Sequence, residues 1–160
     1  MKKATTLFLK IAVIFIGIPV LALCVFLVPK FANFAGDLYP NLTYMKSLVL
    51  IDIYAATIPF YFALYQAFKL LGYIDKSQAF SELSVEALKK IKYCAITISA
   101  LYLLGMPLYY LMAKKIDPPS VMPMDFVIIF ASMVIAVFAA VLQKLLQEAI
   151  NIKSENDLTI

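Results

Sequence analysis

The chain has 160 residues, 64% hydrophobic and 15% charged, and its 14 basic residues are all lysine, with no histidine or tryptophan. A soluble domain of this length cannot bury four separate apolar runs of about twenty residues each, so the composition excludes a soluble protein and specifies a polytopic membrane protein. The net charge of +4 comes from lysines at the ends of the apolar runs, which points to topology and anionic headgroups and away from direct nucleic-acid binding.

The first apolar run, 7–28, is too long for a signal-peptide core and has no small-x-small cleavage pattern before Pro29. Leu23 is bulky where lipoprotein processing ahead of Cys24 wants a small residue. The run is therefore expected to be an uncut span 1, with Lys10 reaching back to the nearer interface. The stretch 29–47 is expected to be a polar, aromatic-bearing connection punctuated by Gly36 and Pro40. Asn41-Leu42-Thr43 matches a glycosylation acceptor, which at three residues is a weak signal. Span 2 follows at 48–71.

The stretch SQAFSELSVEALKKIK, 77–92, is the long polar helix candidate between two apolar segments. Ser84 is expected to cap it, with Leu83 and Leu88 as a hydrophobic staple and Glu86 in the first turn, where the helix dipole favours an anion. Glu86 precedes Lys89 and Lys90 by three and four residues, a surface-pairing distance. Val85, Leu88, Ile91 and Ala95 share the opposite face, so this helix is expected to run from a surface position directly into span 3, 93–112. A connection at 113–125, stiffened by Pro118, Pro119 and Pro123, leads to span 4, 126–146. Its helical pattern continues with Leu142, Leu145, Leu146, Ala149 and Ile150 on one face, and a polar tail occupies 147–160.

The fold class is thus all-α: four transmembrane helices, an amphipathic cytosolic helix leading into span 3 and a helical extension of span 4. Lysines concentrate before span 1, between spans 2 and 3, and after span 4, so both termini and the polar helix are expected to be cytoplasmic. Cys24 and Cys94 then lie near opposite membrane faces and are read as small buried residues rather than a disulfide.

Pro19, Pro59 and Pro107 lie inside spans and are hinge candidates, although ordinary packing explains mid-span prolines as well. Asp52 is the intramembrane carboxylate, and a structural pair with Lys30, Lys46 or Lys114 is favoured over a proton or cation site. Tyr54, Tyr61, Tyr65, Phe68, Tyr102 and Tyr109 suggest aromatic packing ahead of a ligand pocket. No catalytic residue, metal site or cofactor is expected. Aspartyl chemistry inside the membrane needs two facing carboxylates where Asp52 stands alone, and there is no histidine to activate a nucleophile.

The segments KLLGYIDKSQAFSELSVEALKKIKYCAI and AVLQKLLQEAINIKSENDLTI resemble the YoaS-like family of small bacterial membrane proteins, which is grouped as a domain of unknown function. The resemblance covers essentially the whole chain. Its pattern is a charged cytosolic segment with a buried Phe before a Ser-capped helix, and a closing helix that ends in Glu-Asn-Asp-Leu-Thr-Ile. It implies four transmembrane helices in a bacterial plasma membrane. Members are often encoded beside a small Cro-like helix-turn-helix regulator, which implies a membrane-linked regulatory pair, and the family supplies no catalytic residues.

Two functional classes remain open at this point. One is a non-catalytic regulator or sensor in the lipid bilayer that docks a cytosolic partner through Ser84, Leu88, Lys89, Lys90 and Leu158. The other is a small transporter or channel component lined by Thr57, Gln66, Thr97, Ser99 and Ser132, which would need a homo-oligomer to enclose a path.

Overall fold

The computed structural model describes residues 2–115 and 121–158, and every regular element within them is helical. The elements are α1 (Lys2–Leu38), α2 (Met45–Asp75), α3 (Glu82–Leu104), α4 (Met106–Lys115) and α5 (Val121–Leu158). Helices α1, α2 and α5 are each long and apolar enough to cross a membrane, and α3 with α4 meets the same test as one span bent by 47°. Their outward faces carry bare apolar side chains such as Phe15, Ile58 and Phe130, an arrangement that suits lipid and not water.

Span 1 does not end at Pro29. Helix α1 continues through it to Leu38, and the connection shrinks to the short stretch before Met45. Proline removes one backbone bond, but Ala32 and Ala35 beyond it are completely buried with Met45, Val49, Tyr109 and Met112. Small residues let the α1, α2 and α4 backbones approach closely, and that packing carries the helix past the proline. The four spans form an open row, α1 beside α2, α2 beside α3 and α3 beside α5, while α1 and α5 make no close approach among the described residues.

Helix α1 runs antiparallel to α2. Tyr61 donates to the carbonyl of Gly17 at 2.7 Å, Tyr54 donates to that of Cys24 at 2.8 Å, and Lys10 pairs with Asp75 at 2.9 Å. Lys10 thus meets a carboxylate and lies 5.3 Å from the Phe68 ring centroid, at the end where the termini lie. A cavity of about 400 Å³ there is lined by Thr5, Ser77, Phe80 and Lys153 among others, so the start of α1, the α2–α3 connection and the tail share one end. Both cysteines are free.

The polar helix begins at Glu82, not at Ser77. Its cap is Ser81, whose side chain accepts from the Ser84 amide, so Ser84 is not the cap and Leu83 is not outside the helix. Instead Ser84 is fully buried and donates its hydroxyl to the Gln78 carbonyl at 3.2 Å. The preceding helix consumes residues 77 and 78: the amides of Ser77 and Gln78 bond to the carbonyls of Ile74 and Tyr73, with Ser77 at a φ of 61°. This is a Schellman closure with a serine where glycine is usual. Phe80, expected to be buried, is 61% exposed. Val85, Leu88 and Ala95 are buried as their shared face predicts.

In α5 the inward face is Gln143, Leu146, Gln147, Ala149 and Ile150, whereas Leu142 and Leu145 point outward. Helix α5 starts at Val121, so Pro123 lies in its first turn, where amides have no intrahelical partner anyway. Pro118 and Pro119 lie outside the described residues.

Candidate functional site: carboxylates at a broken helix

The third span breaks at Gly105. Pro107, two residues on, sits in the first turn of α4, where its missing N–H forfeits little. A Cβ on Gly105 would stand 2.6 Å from Oδ2 of Asp52, so the carboxylate fills the space that a side chain would take. Asp52 therefore lies at the start of α4, where the helix dipole favours an anion. Tyr109, 4% exposed and one turn into α4, donates its hydroxyl to the same Oδ2 at 2.6 Å. The Tyr102 ring stacks on Tyr109 with centroids 6.4 Å apart.

Asp52 is thus held by a phenol, not by the lysines expected to pair with it. Lys114 lies over the Tyr110 ring at 4.7 Å, Lys30 stays exposed, and the Cβ of Lys46 faces Gly36. A charge-assisted hydrogen bond from a buried donor substitutes for an ion pair without burying a second charge.

Nor is Asp52 the sole carboxylate within the spans. Because α5 starts early, Asp125 falls in its first turns, where it is 4% exposed. Neither of its carboxylate oxygens has a hydrogen-bond partner among the described residues. Asp125 and Tyr109, the donor to Asp52, line the same cleft. The expectation of one isolated carboxylate is corrected, although Asp52 remains committed to Tyr109.

Asp125 lines a cleft of about 640 Å³ between α1 and α5, walled by Leu23, Leu27, Phe31, Tyr102, Tyr109 and Ile128, with Lys30 also on its lining. Helix α4 closes the end of the bundle beyond it. Tyr39 donates to the Leu111 carbonyl, Lys115 donates to the Leu38 carbonyl at 2.7 Å, and the Lys115 ammonium lies 4.1 Å from the Tyr39 ring centroid.

Of the hinge candidates, Pro107 adjoins the break, while α1 and α2 run unbroken through Pro19 and Pro59. The docking candidates separate. Ser84 and Leu88 are buried, Lys89 and Lys90 are half-buried, and Leu158 is 84% exposed. The hydroxyls proposed to line a path bond to backbone: Thr57 to Ile53, Thr97 to Tyr93 and Ser99 to Ile129. Gln66 and Ser132 are buried. No group of three or more metal-ligating side chains occurs among the described residues.

The roles of Gly105, Tyr109 and Asp125 escaped the sequence reading. The one available signal for Asp125 was Pro123, which marks a helix start and would have moved the boundary of span 4 ahead of the carboxylate.

Residues 30–160 match the family described as protein of unknown function (DUF2975). The chain is 67% identical over 160 residues to the uncharacterized membrane protein YoaS of Bacillus subtilis (strain 168), a similarity that covers 100% of both chains. No solved structure matches it.

Proposed function

The chain belongs to the DUF2975 family of proteins of unknown function, and from that premise we propose that it is a non-catalytic membrane regulator or sensor that docks a cytosolic partner. The observation that carries this reading is the joining of its two polar elements. Gln147 on the α5 extension donates to Glu82 at the start of α3 at 3.1 Å, and residues 151–158 continue as a fully exposed helix. A helix that projects several turns beyond the spans with Leu158 bare at its end has the form of a docking element. The lysine surplus at this end supports a cytoplasmic placement in a bacterial plasma membrane. A small helix-turn-helix regulator is the partner implied by the family resemblance, with the chain itself making no direct contact to nucleic acid.

Cross-linking in native membranes tests the reading. Truncation after Gln147, or Lys89→Glu with Lys90→Glu, should leave the spans inserted while cross-links to a cytosolic protein fall. Unchanged cross-links in both would reduce the two joined polar elements to a solvated connector. A transporter or channel component is the second reading, favoured by a second carboxylate, Asp125, in the cleft that also holds Tyr109, the donor to Asp52. Loss of a transport phenotype in Asp52→Asn at unchanged abundance would select it.

A further inference from the structure

We propose that the cleft between α1 and α5 is a lateral binding site for a zwitterionic aminophospholipid, with Asp125 taking the ammonium and Lys30 the phosphate of its headgroup. Helices α1 and α5 are the two edges of an open row, and the space between them is a cleft of about 640 Å³, within the usual range for a small-molecule pocket of roughly 300–1,000 Å³. Its walls belong to membrane-spanning helices, and the flanking Leu27, Met124 and Ile128 are themselves exposed, so the cleft opens sideways into lipid.

The lining is apolar except for the hydroxyls of Tyr102 and Tyr109 and two charged side chains of opposite sign. Asp125 is 96% removed from solvent by its 4% exposure, and both its oxygens lack a partner among the described residues. Buried carboxylates are ordinarily paired, and a cationic donor that enters beside this one supplies the compensation that its described neighbours do not. Lys30 is exposed and forms no ion pair with a described residue. A ligand with only a cation leaves Lys30 unanswered and repelled, and one with only an anion leaves Asp125 unanswered. A headgroup carrying both charges satisfies the two together, and its chains then run along Leu23 and Leu27. Tyr102 and Tyr109 add aromatic faces beside an ammonium.

The site lies at the end of the bundle away from the termini. Lys30 follows the apolar part of α1, and Asp125 precedes that of α5, which is the depth at which headgroups lie. The site goes beyond the docking reading and does not depend on it, since the two occupy opposite ends.

The test uses the full chain, purified in detergent, with retained lipid counted by native mass spectrometry after titration with phosphatidylethanolamine or phosphatidylglycerol. Phosphatidylethanolamine should bind about tenfold or more tighter, the scale of one charge-assisted hydrogen bond. Asp125→Asn should abolish that preference, and Lys30→Gln should weaken both lipids while preserving it. Leu27→Trp keeps both charges and fills the cleft, so it should remove binding even if the Asp125 variant fails to fold. Equal binding of the two lipids by the wild type overturns the proposal. So does a preference that survives Asp125→Asn or Leu27→Trp, or a dimer that masks the cleft. If the double variant Lys30→Gln with Asp125→Asn in lipid-free detergent is no less stable than either single one, each of which is destabilised, Lys30 and Asp125 pair with each other and the site takes no headgroup.

Discussion

The two ends of this bundle are held together by different physics. At the end with the termini, stability comes from groups that close helices, the Schellman turn at Ser77 and the Ser81 cap, and from the part-buried Lys10–Asp75 pair between α1 and α2. At the far end it comes from close approach, with Ala32, Ala35, Met45, Val49 and Met112 buried and a carboxylate packed against Gly105. Helix-closing groups act locally and in contact with water, so each is worth little and tolerates change. Groups packed without water have no substitute partner, so one added methyl is felt.

Substitutions at the far end should therefore dominate. Gly105→Ala places a methyl 2.6 Å from Asp52 Oδ2 and forces the carboxylate off Tyr109, so it should cost about 2–3 kcal/mol, read as a lowered unfolding midpoint in detergent. Asp52→Ala should relieve part of that loss in the double variant, because it frees the occupied space. Additive losses would mean that the carboxylate is not what the methyl strikes. Tyr109→Phe leaves the half-buried Asp52 without its donor and should cost about 1.5–2 kcal/mol.

Smaller effects belong to the other end. Ser81→Ala removes the side-chain acceptor of the Ser84 amide and should cost about 1 kcal/mol. Lys10→Gln should cost about 0.5 kcal/mol, with a difference that shrinks in high salt, because both side chains of the pair are 23% exposed. Ser77→Gly should act in the opposite direction, raising stability by about 0.5 kcal/mol, because a φ of 61° suits glycine better than serine. A Lys10→Gln loss as large as that of Gly105→Ala would erase the contrast between the ends.

The termini end was also the more legible of the two. The run SELSVEALKK announced a serine-capped helix with a buried Val85–Leu88 face, and the cap was misplaced by only three residues. The error has a local cause: Ser81 and Ser84 are both followed by helix formers, and the Schellman turn that uses up residues 77 and 78 lets the helix begin early. The extension of span 4 was legible for the same reason, although its inward stripe includes Gln143 and Gln147 in place of Leu142 and Leu145. At the far end, Gly105-Met106-Pro107 marked a place where a helix can bend but did not say what would occupy the bend.

The sequence by itself determined that this is an all-helical membrane protein with four apolar spans and a polar helix between the second and third. That much is decidable locally, because in lipid each backbone must satisfy its own hydrogen bonds and a run of apolar residues leaves the helix as the simplest solution. The tertiary structure alone decided that α1 outlasts Pro29, that Asp52 meets Tyr109 instead of a lysine, and that Asp125 is buried without a partner among the described residues. Each of those outcomes depends on which residue of another helix comes within bonding distance. Chain-local patterns of hydropathy and capping contain no term for that approach, which is set by how small residues let the helices pack.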